Sequence, residues 1–220
     1  MSNHHTPVTE ELDKYLNEHF SSEDEFLFNL RQEAAAEGLP SINIAPAQGK
    51  LLQVLIKSIQ AKNILEIGTL GAYSAINMAR AIDGEGSIVT IEYEYKHALF
   101  AQRKINEAGL QNVIQLQNSD AREFLKEYKP DKEFDLIFVD ADKPSYKFYL
   151  DQTTPYLRQG GLFIADNAFA FGFLTTPTHE RNPNDIKSMQ GFNLYFKQHP
   201  QYFTSIIPSG DGMIIGVKIG

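Results

Sequence analysis

Two stretches of this sequence end an apolar run in oxygen-bearing side chains. FDLIFVDADKPSY carries Asp140, Asp142 and Lys143, and GGLFIADNAF carries Asp166 and Asn167. Two carboxylates and an amide carbonyl are hard oxygen donors, the chemistry of magnesium, manganese or calcium sites. Three protein ligands leave positions open for water or a bidentate substrate. Lys143 lies just before Pro144, which suits the first turn of a helix. Beside a divalent cation its ammonium would be driven toward the neutral amine, a usable general base. Each stretch alone has an ordinary explanation, since an Asp after a strand often caps the next helix and ADN makes a good turn. Their occurrence at two successive strand ends favours the metal.

A second constellation lies upstream. In ILEIGTLGAYSA, Gly68 and Gly71 follow an apolar run, where glycine lets the backbone turn sharply and approach a ligand. Glu92, 24 residues after Gly68, ends the run SIVTIE. An acid there can accept hydrogen bonds from both hydroxyls of a ribose. The alternative is a tight turn and a solvated strand end. The G-x-x-G spacing lacks the G-x-G-x-x-G cradle of a dinucleotide, so a nucleoside cofactor without phosphates fits better.

The elements that must position these residues can be read from the apolar pattern. NILEI, SIVTIE, NVIQLQ, FDLIFVD and GGLFIAD are runs without alternation, as in strands buried on both faces, and amphipathic stretches separate them. Such strand–helix alternation implies a parallel sheet with right-handed crossovers. YFTSIIP and GMIIGVKI are separated only by Ser209–Gly212, too short for a helix, so they should form an antiparallel hairpin. The first 60 residues read as helical. Ser22-x-x-Glu25 is a capping-box pattern, Gly38 and Pro40 close that helix, and a further helix fits Gln48 to Gln60. The expected fold is therefore α/β: a Rossmann-like, doubly wound, mostly parallel seven-stranded sheet with a C-terminal antiparallel hairpin and N-terminal helices. One domain over 1–220 is expected, with a helical cap at 1–42 and the core at 43–220.

Composition narrows the classes. A net charge of −8 argues against nucleic acid and anionic lipid as main partners. The absence of cysteine removes disulfides, thiolate zinc sites and cysteine nucleophiles. The polar, acidic beginning lacks a signal-peptide pattern, and no apolar run approaches a membrane span, so a cytoplasmic location is expected. The six histidines form no ligand pattern.

Taken together, LEIGTxxxYS, the acid at the second strand end, FVDADKxxY, GGLFIADN and GDGMIIGVK resemble the metal-dependent O-methyltransferases of the caffeoyl-CoA and catechol O-methyltransferase group. These enzymes use S-adenosylmethionine (SAM). The resemblance runs from about Asn43 to the C-terminus. It implies Asp140, Asp166 and Asn167 as metal ligands and Lys143 as the base. It further implies Glu66, Gly68 and Ser74 at the methionine part of the cofactor, Glu92 at its ribose, Asp120 and Ala121 at its adenine, and Asp140 bordering it. NIAPAQGKLL resembles the family's helix start beside the cofactor. The implied acceptor is a small aromatic molecule with vicinal hydroxyls, and the implied assembly is a homodimer.

Two departures stand out. Ala72 occupies the position before Tyr-Ser where the family has glycine, and AFAFGFLTTPTHERNPND lacks the family's tryptophan-glycine pair and longer insertion. Phe169, Phe171 and Phe173 in that segment fit an aromatic wall, a core plug or a dimer face equally well; Tyr146 is expected to pack on its helix. Two other readings stay open on the sequence. A nicotinamide-dependent oxidoreductase would share the sheet, and a non-catalytic module would keep the cofactor and methylate nothing.

Overall fold

The computed structural model of the protein describes residues 8–21, 23–176 and 182–220. Three helices come first: α1 (Glu10–His19), α2 (Glu25–Ala36) and α3 (Pro46–Ile59). Asp24 caps α2, accepting from the Leu27 amide at 2.9 Å; Ser22, the expected cap, lies outside the described residues. α2 ends one residue before Glu37 and Gly38, as the sequence suggests. α3 opens on Pro46 at its first position, where a missing amide hydrogen costs nothing. Its Leu52 and Ile56 are buried against the sheet layer.

Strands and helices then alternate: β1 (Asn63–Ile67), α4 (Tyr73–Ala79), β2 (Ser87–Glu92), α5 (Tyr95–Glu107), β3 (Ile114–Asn118), α6 (Ala121–Glu127), β4 (Phe134–Val139), α7 (Tyr146–Thr153) and β5 (Leu157–Ala165). After α8 (Pro183–Lys197) come β6 (Tyr202–Ile207) and β7 (Met213–Lys218). The sheet order is β3-β2-β1-β4-β5-β7-β6, so the order reverses between β1 and β4. The first five strands pair in parallel. β7 runs antiparallel between β5 and β6, so the expected hairpin forms this end of the sheet with its second strand innermost and β6 at the edge.

The runs of β1, β2, β4 and β5 serve two cores. NVIQLQ, expected to be buried on both faces, instead forms the edge strand β3 and alternates, with Ile114 and Leu116 on the α2 to α5 side and Gln115 exposed. On β4, Leu136 and Phe138 face the layer of α2 to α5, while Ile137 and Val139 face the opposite side with α7 and α8. β5 divides in the same way, Leu162 and Ile164 against Phe163 and Ala165. Burial on both faces explains why these strands lack alternation in the sequence. Among the described residues no helix is long and apolar enough to cross a membrane.

Candidate active site

Register brings the chemistry to one edge. Ile67 pairs with Val139, and Val139 with Ala165, so Gly68, Asp140 and Asp166 leave three neighbouring strands at the same level. The ladder carries one step further, with Gly68, Asp140 and Asp166 donating their amides to Ile91, Ile67 and Val139 at 3.0, 2.9 and 3.0 Å. This is the carboxyl edge at the point where strand order reverses, the usual ligand crevice of such sheets. A cavity of about 780 Å³ opens there, a size that suits a cofactor with a small acceptor.

The glycine loop forms one wall, with Gly68 through Leu70, Tyr73 and Ser74 on its lining. Gly68 has φ +98°, and a Cβ at that position would fall onto the carbonyl of Asp140. Only glycine lets the two strand ends pass this closely. Glu92 lines the cavity as well; its carboxylate accepts from the amides of Leu70 at 2.7 Å and Glu94 at 2.9 Å. It thus ties the loop to its own strand, while a carboxylate's remaining lone pairs can serve a ligand hydroxyl. Asp120 and Ala121 lie on the same lining, and Asp120 caps α6 by accepting from the Arg122 amide at 2.7 Å.

Glu66 stands behind this wall and does not line the cavity. Fully buried, it accepts from the hydroxyl of Ser74 and, at 2.5 Å, from that of Thr90. Burial pushes its carboxyl up to about 8, against the pull of those two hydroxyl bonds. Ser74, which does reach the cavity, is the visible face of this pair. Ala72 has φ +66° and is fully buried at the N-cap of α4. The backbone there keeps the left-handed turn that glycine would make easily, so the departure at Ala72 changes the residue without unwinding the loop.

The second wall carries Asp140, Lys143 and Asn167, while Asp166 is buried beside them and is not on the lining. Asp166, 4% exposed, accepts from Gln48 Nε2 at 2.6 Å. Burial first, and the charge of Asp140 next, raise its carboxyl well above the usual carboxylate range. Asn167 is left-handed at φ +61° and its Nδ2 donates to Asp211 Oδ2 at 3.0 Å. That bond commits the amide nitrogen and leaves the carbonyl oxygen for another partner. Among the described residues no three His, Asp or Glu side chains gather as a metal cage. Two neighbouring carboxylates, of which Asp166 is raised by burial and by the charge of Asp140, with a spare amide carbonyl beside them, nevertheless fit a hard divalent cation in donor chemistry.

Lys143 begins a short 3-10 turn leading into α7 and is 8% exposed. Its Nζ lies 3.0 Å from Asp140 Oδ1 and donates to Tyr146 Oη at 2.7 Å. Burial works against its charge, but Tyr146 and Asp140 outweigh it, and the ammonium is held more firmly than usual. Tyr146 thus does more than pack on its helix: fully buried, it meets Phe192 edge-on and receives the lysine.

The three phenylalanines part company. Phe171 lines the cavity, Phe169 packs on Gly212, and Phe173 packs against the core on the α7–α8 side. Several lining residues carried no signal in the sequence: Ile42, His97, Arg122 and Tyr149. Tyr149 donates to Asp142 at 2.6 Å, a pairing that the DADK spacing alone does not announce. Gln48 belongs to the NIAPAQGKLL stretch singled out above, but its grip on Asp166 spans 118 positions and no local pattern marks it.

Comparison with known proteins agrees with this geometry. The family model described as O-methyltransferase matches residues 17–219. A catechol O-methyltransferase of Niastella koreensis is 41% identical over 167 residues, 75% of this chain and 76% of its own length. The O-methyltransferase of Bacillus cereus, solved in complex with SAH, superposes with a TM-score of 0.86 at 31% identity, covering 94% of this chain and 97% of its own. The O-methyltransferase of tomaymycin synthesis from Streptomyces achromogenes, solved in complex with SAM, gives a TM-score of 0.85 at 30% identity over 96% of each chain.

Proposed function

The chain belongs to the O-methyltransferase family, and we propose that it transfers a methyl group from SAM to one hydroxyl of a catechol-type aromatic acceptor with the help of a divalent cation. The observation that carries this reading is the juxtaposition of Asp140, Asn167 and Lys143 on one cavity with the Gly68 loop and Glu92, with Asp166 level with Asp140 at the same sheet edge. A catechol O-methyltransferase among the relatives supports the acceptor class, and the SAM and SAH complexes of two structural neighbours support the cofactor.

In this reading Glu92 receives the ribose hydroxyls, Ser74 and the loop face the methionine end, and Asp120 and Ala121 border the adenine. Asp140, Asp166 and the Asn167 carbonyl hold the cation. When bound, SAM supplies an electrophilic methyl and the cation supplies charge to stabilise a phenolate. The need for that charge is quantitative. A phenol titrates near ~10, so full ionisation at neutral pH requires about 4 kcal/mol. Lys143 as it stands is an ammonium and no base. It can take a proton only if Asp140's charge is engaged elsewhere, which is what a cation ligated by Asp140 accomplishes. Phe171 gives the acceptor a flat apolar neighbour.

The deciding experiment is a methyl-transfer assay over a catechol panel with magnesium and with chelator. Turnover should depend on the metal, and Asp166→Ala should abolish it. Undiminished turnover in chelator refutes the metal reading.

A further inference from the structure

The turn between β6 and β7 contains one carboxylate whose bonds all point away from its own hairpin. Asp211 Oδ2 accepts from Asn167 Nδ2 at 3.0 Å and from the Phe171 amide at 2.7 Å, and Oδ1 accepts from the Gly172 amide at 3.0 Å. Its backbone carbonyl accepts from the Phe169 amide at 2.9 Å, and that of Gly212 from Ala168 at 2.8 Å. One residue of the C-terminal hairpin therefore gathers the segment 167–172, which follows β5 and faces the cavity.

That segment needs an external hold. Asn167, Ala170 and Phe171 have φ of +61°, +53° and +62°. Three non-glycine residues in the left-handed region within five positions form a strained path that persists only where surrounding groups fix it. A carboxylate suits the task because it offers acceptors only, and its bonds to amides are charge-assisted. A neutral amide in its place would turn an N–H toward one of the three donors.

We propose that Asp211 is a positioning residue for methyl transfer, setting the Asn167 carbonyl toward the cation and the Phe171 ring toward the acceptor while leaving the cofactor half untouched. The Asn167 arm of this inference rests on the metal reading above; the Phe171 arm does not. A residue that merely closed its own turn would bond within 208–212, whereas the carboxylate bonds described here all cross to 167–172.

The test uses the full chain and two variants, Asp211→Asn and Asp211→Ser. Manganese affinity, SAM affinity and the catechol KM are measured in each. Asp211→Asn should weaken manganese binding by roughly 10-fold or more, the usual cost of losing a partner that orients a ligand. It should raise the catechol KM while leaving SAM affinity within about 2-fold, because the cofactor contacts lie on other strands. Manganese affinity and KM both at wild-type values overturn the proposal. So does a loss of SAM affinity in the same proportion, which would mark a role in stability alone. If the wild type binds no manganese, the metal reading fails by itself, and the KM change still decides the Phe171 arm. Should neither variant fold, hydrogen exchange in the wild type decides. The Phe171 and Gly172 amides should be protected, and free exchange at both overturns the assignment.

Discussion

Glu66→Gln offers a quantitative test of how the cofactor loop is built. Glu66 is fully buried, and its carboxyl rises from an ordinary 4.5 to about 8 chiefly through that burial. At pH 7 the folded protein therefore holds it neutral, with Ser74 and Thr90 as partners. Glutamine has the same shape and is neutral at every pH, and two rotatable hydroxyls can turn to accept from its NH2 group. The sign follows from linkage. A group whose folded value is raised gives stability that is complete below pH 4.5 and is lost as pH rises through 8. Across the whole window the effect is about 5 kcal/mol at roughly 1.4 kcal/mol per tenfold change. Between pH 6 and 8 it is about 2 kcal/mol, an order-of-magnitude figure. Urea unfolding of the cofactor-free protein at both pH values measures it. Wild-type stability minus that of Glu66→Gln should fall by about 2 kcal/mol from pH 6 to 8, since other titrating groups cancel in the difference. Parallel pH profiles for the two proteins would refute the buried neutral carboxyl.

The backbone of the same loop makes two further predictions. Gly68→Ala would set a Cβ onto the Asp140 carbonyl at φ +98°; a loss of about 2–4 kcal/mol is expected by thermal unfolding, with SAM binding lost in calorimetry. Ala72→Gly should change stability by less than about 1 kcal/mol, because relief of the left-handed strain offsets the lost buried methyl. Ala75→Gly, equally buried but inside α4, should cost about 2 kcal/mol, from helix propensity and the methyl together.

Strand ends were the most legible part of this molecule. An unalternating apolar run can stop only where it leaves the doubly covered sheet, so Asp140 and Asp166 could be placed at its edge from composition alone, and the register puts them level. The hairpin was equally legible, because four turn residues cannot hold a helix. Which of its strands sits next to β5 was not, since the pairing partners of β7 are chosen by packing across the whole sheet. The partners that orient the site were the least legible. Gln48 and Asp211 sit in a helix start and a hairpin turn, where their residue types are unremarkable. Only the fold brings them 118 and 44 positions along the chain to Asp166 and Asn167. Glu66 entered only through the family resemblance, and the structure buries it off the cavity lining, where it accepts from Ser74 on α4.

The charges of those partners suit the cation of the proposed function. Asp140 has Lys143 at 3.0 Å, so its charge is already opposed. Asp166 has a neutral amide, Gln48, and Asn167 has the anionic Asp211. A lysine or arginine at position 48 would complete a second ion pair and leave the oxygen donors without net charge. The amide orients the carboxylate without adding a charge to oppose it, and burial together with the proximity of Asp140 makes that charge costly. Burial first, and Asp140 next, raise the carboxyl of Asp166, and the divalent ion of the proposed function would relieve that cost while keeping both carboxylates ionised. Asp211 contributes negative charge to the same neighbourhood while spending its lone pairs on Asn167 and two backbone amides. In the proposed function this arrangement would separate orientation from neutralisation: neighbours fix where the oxygens point, and the charge would be left for the ion.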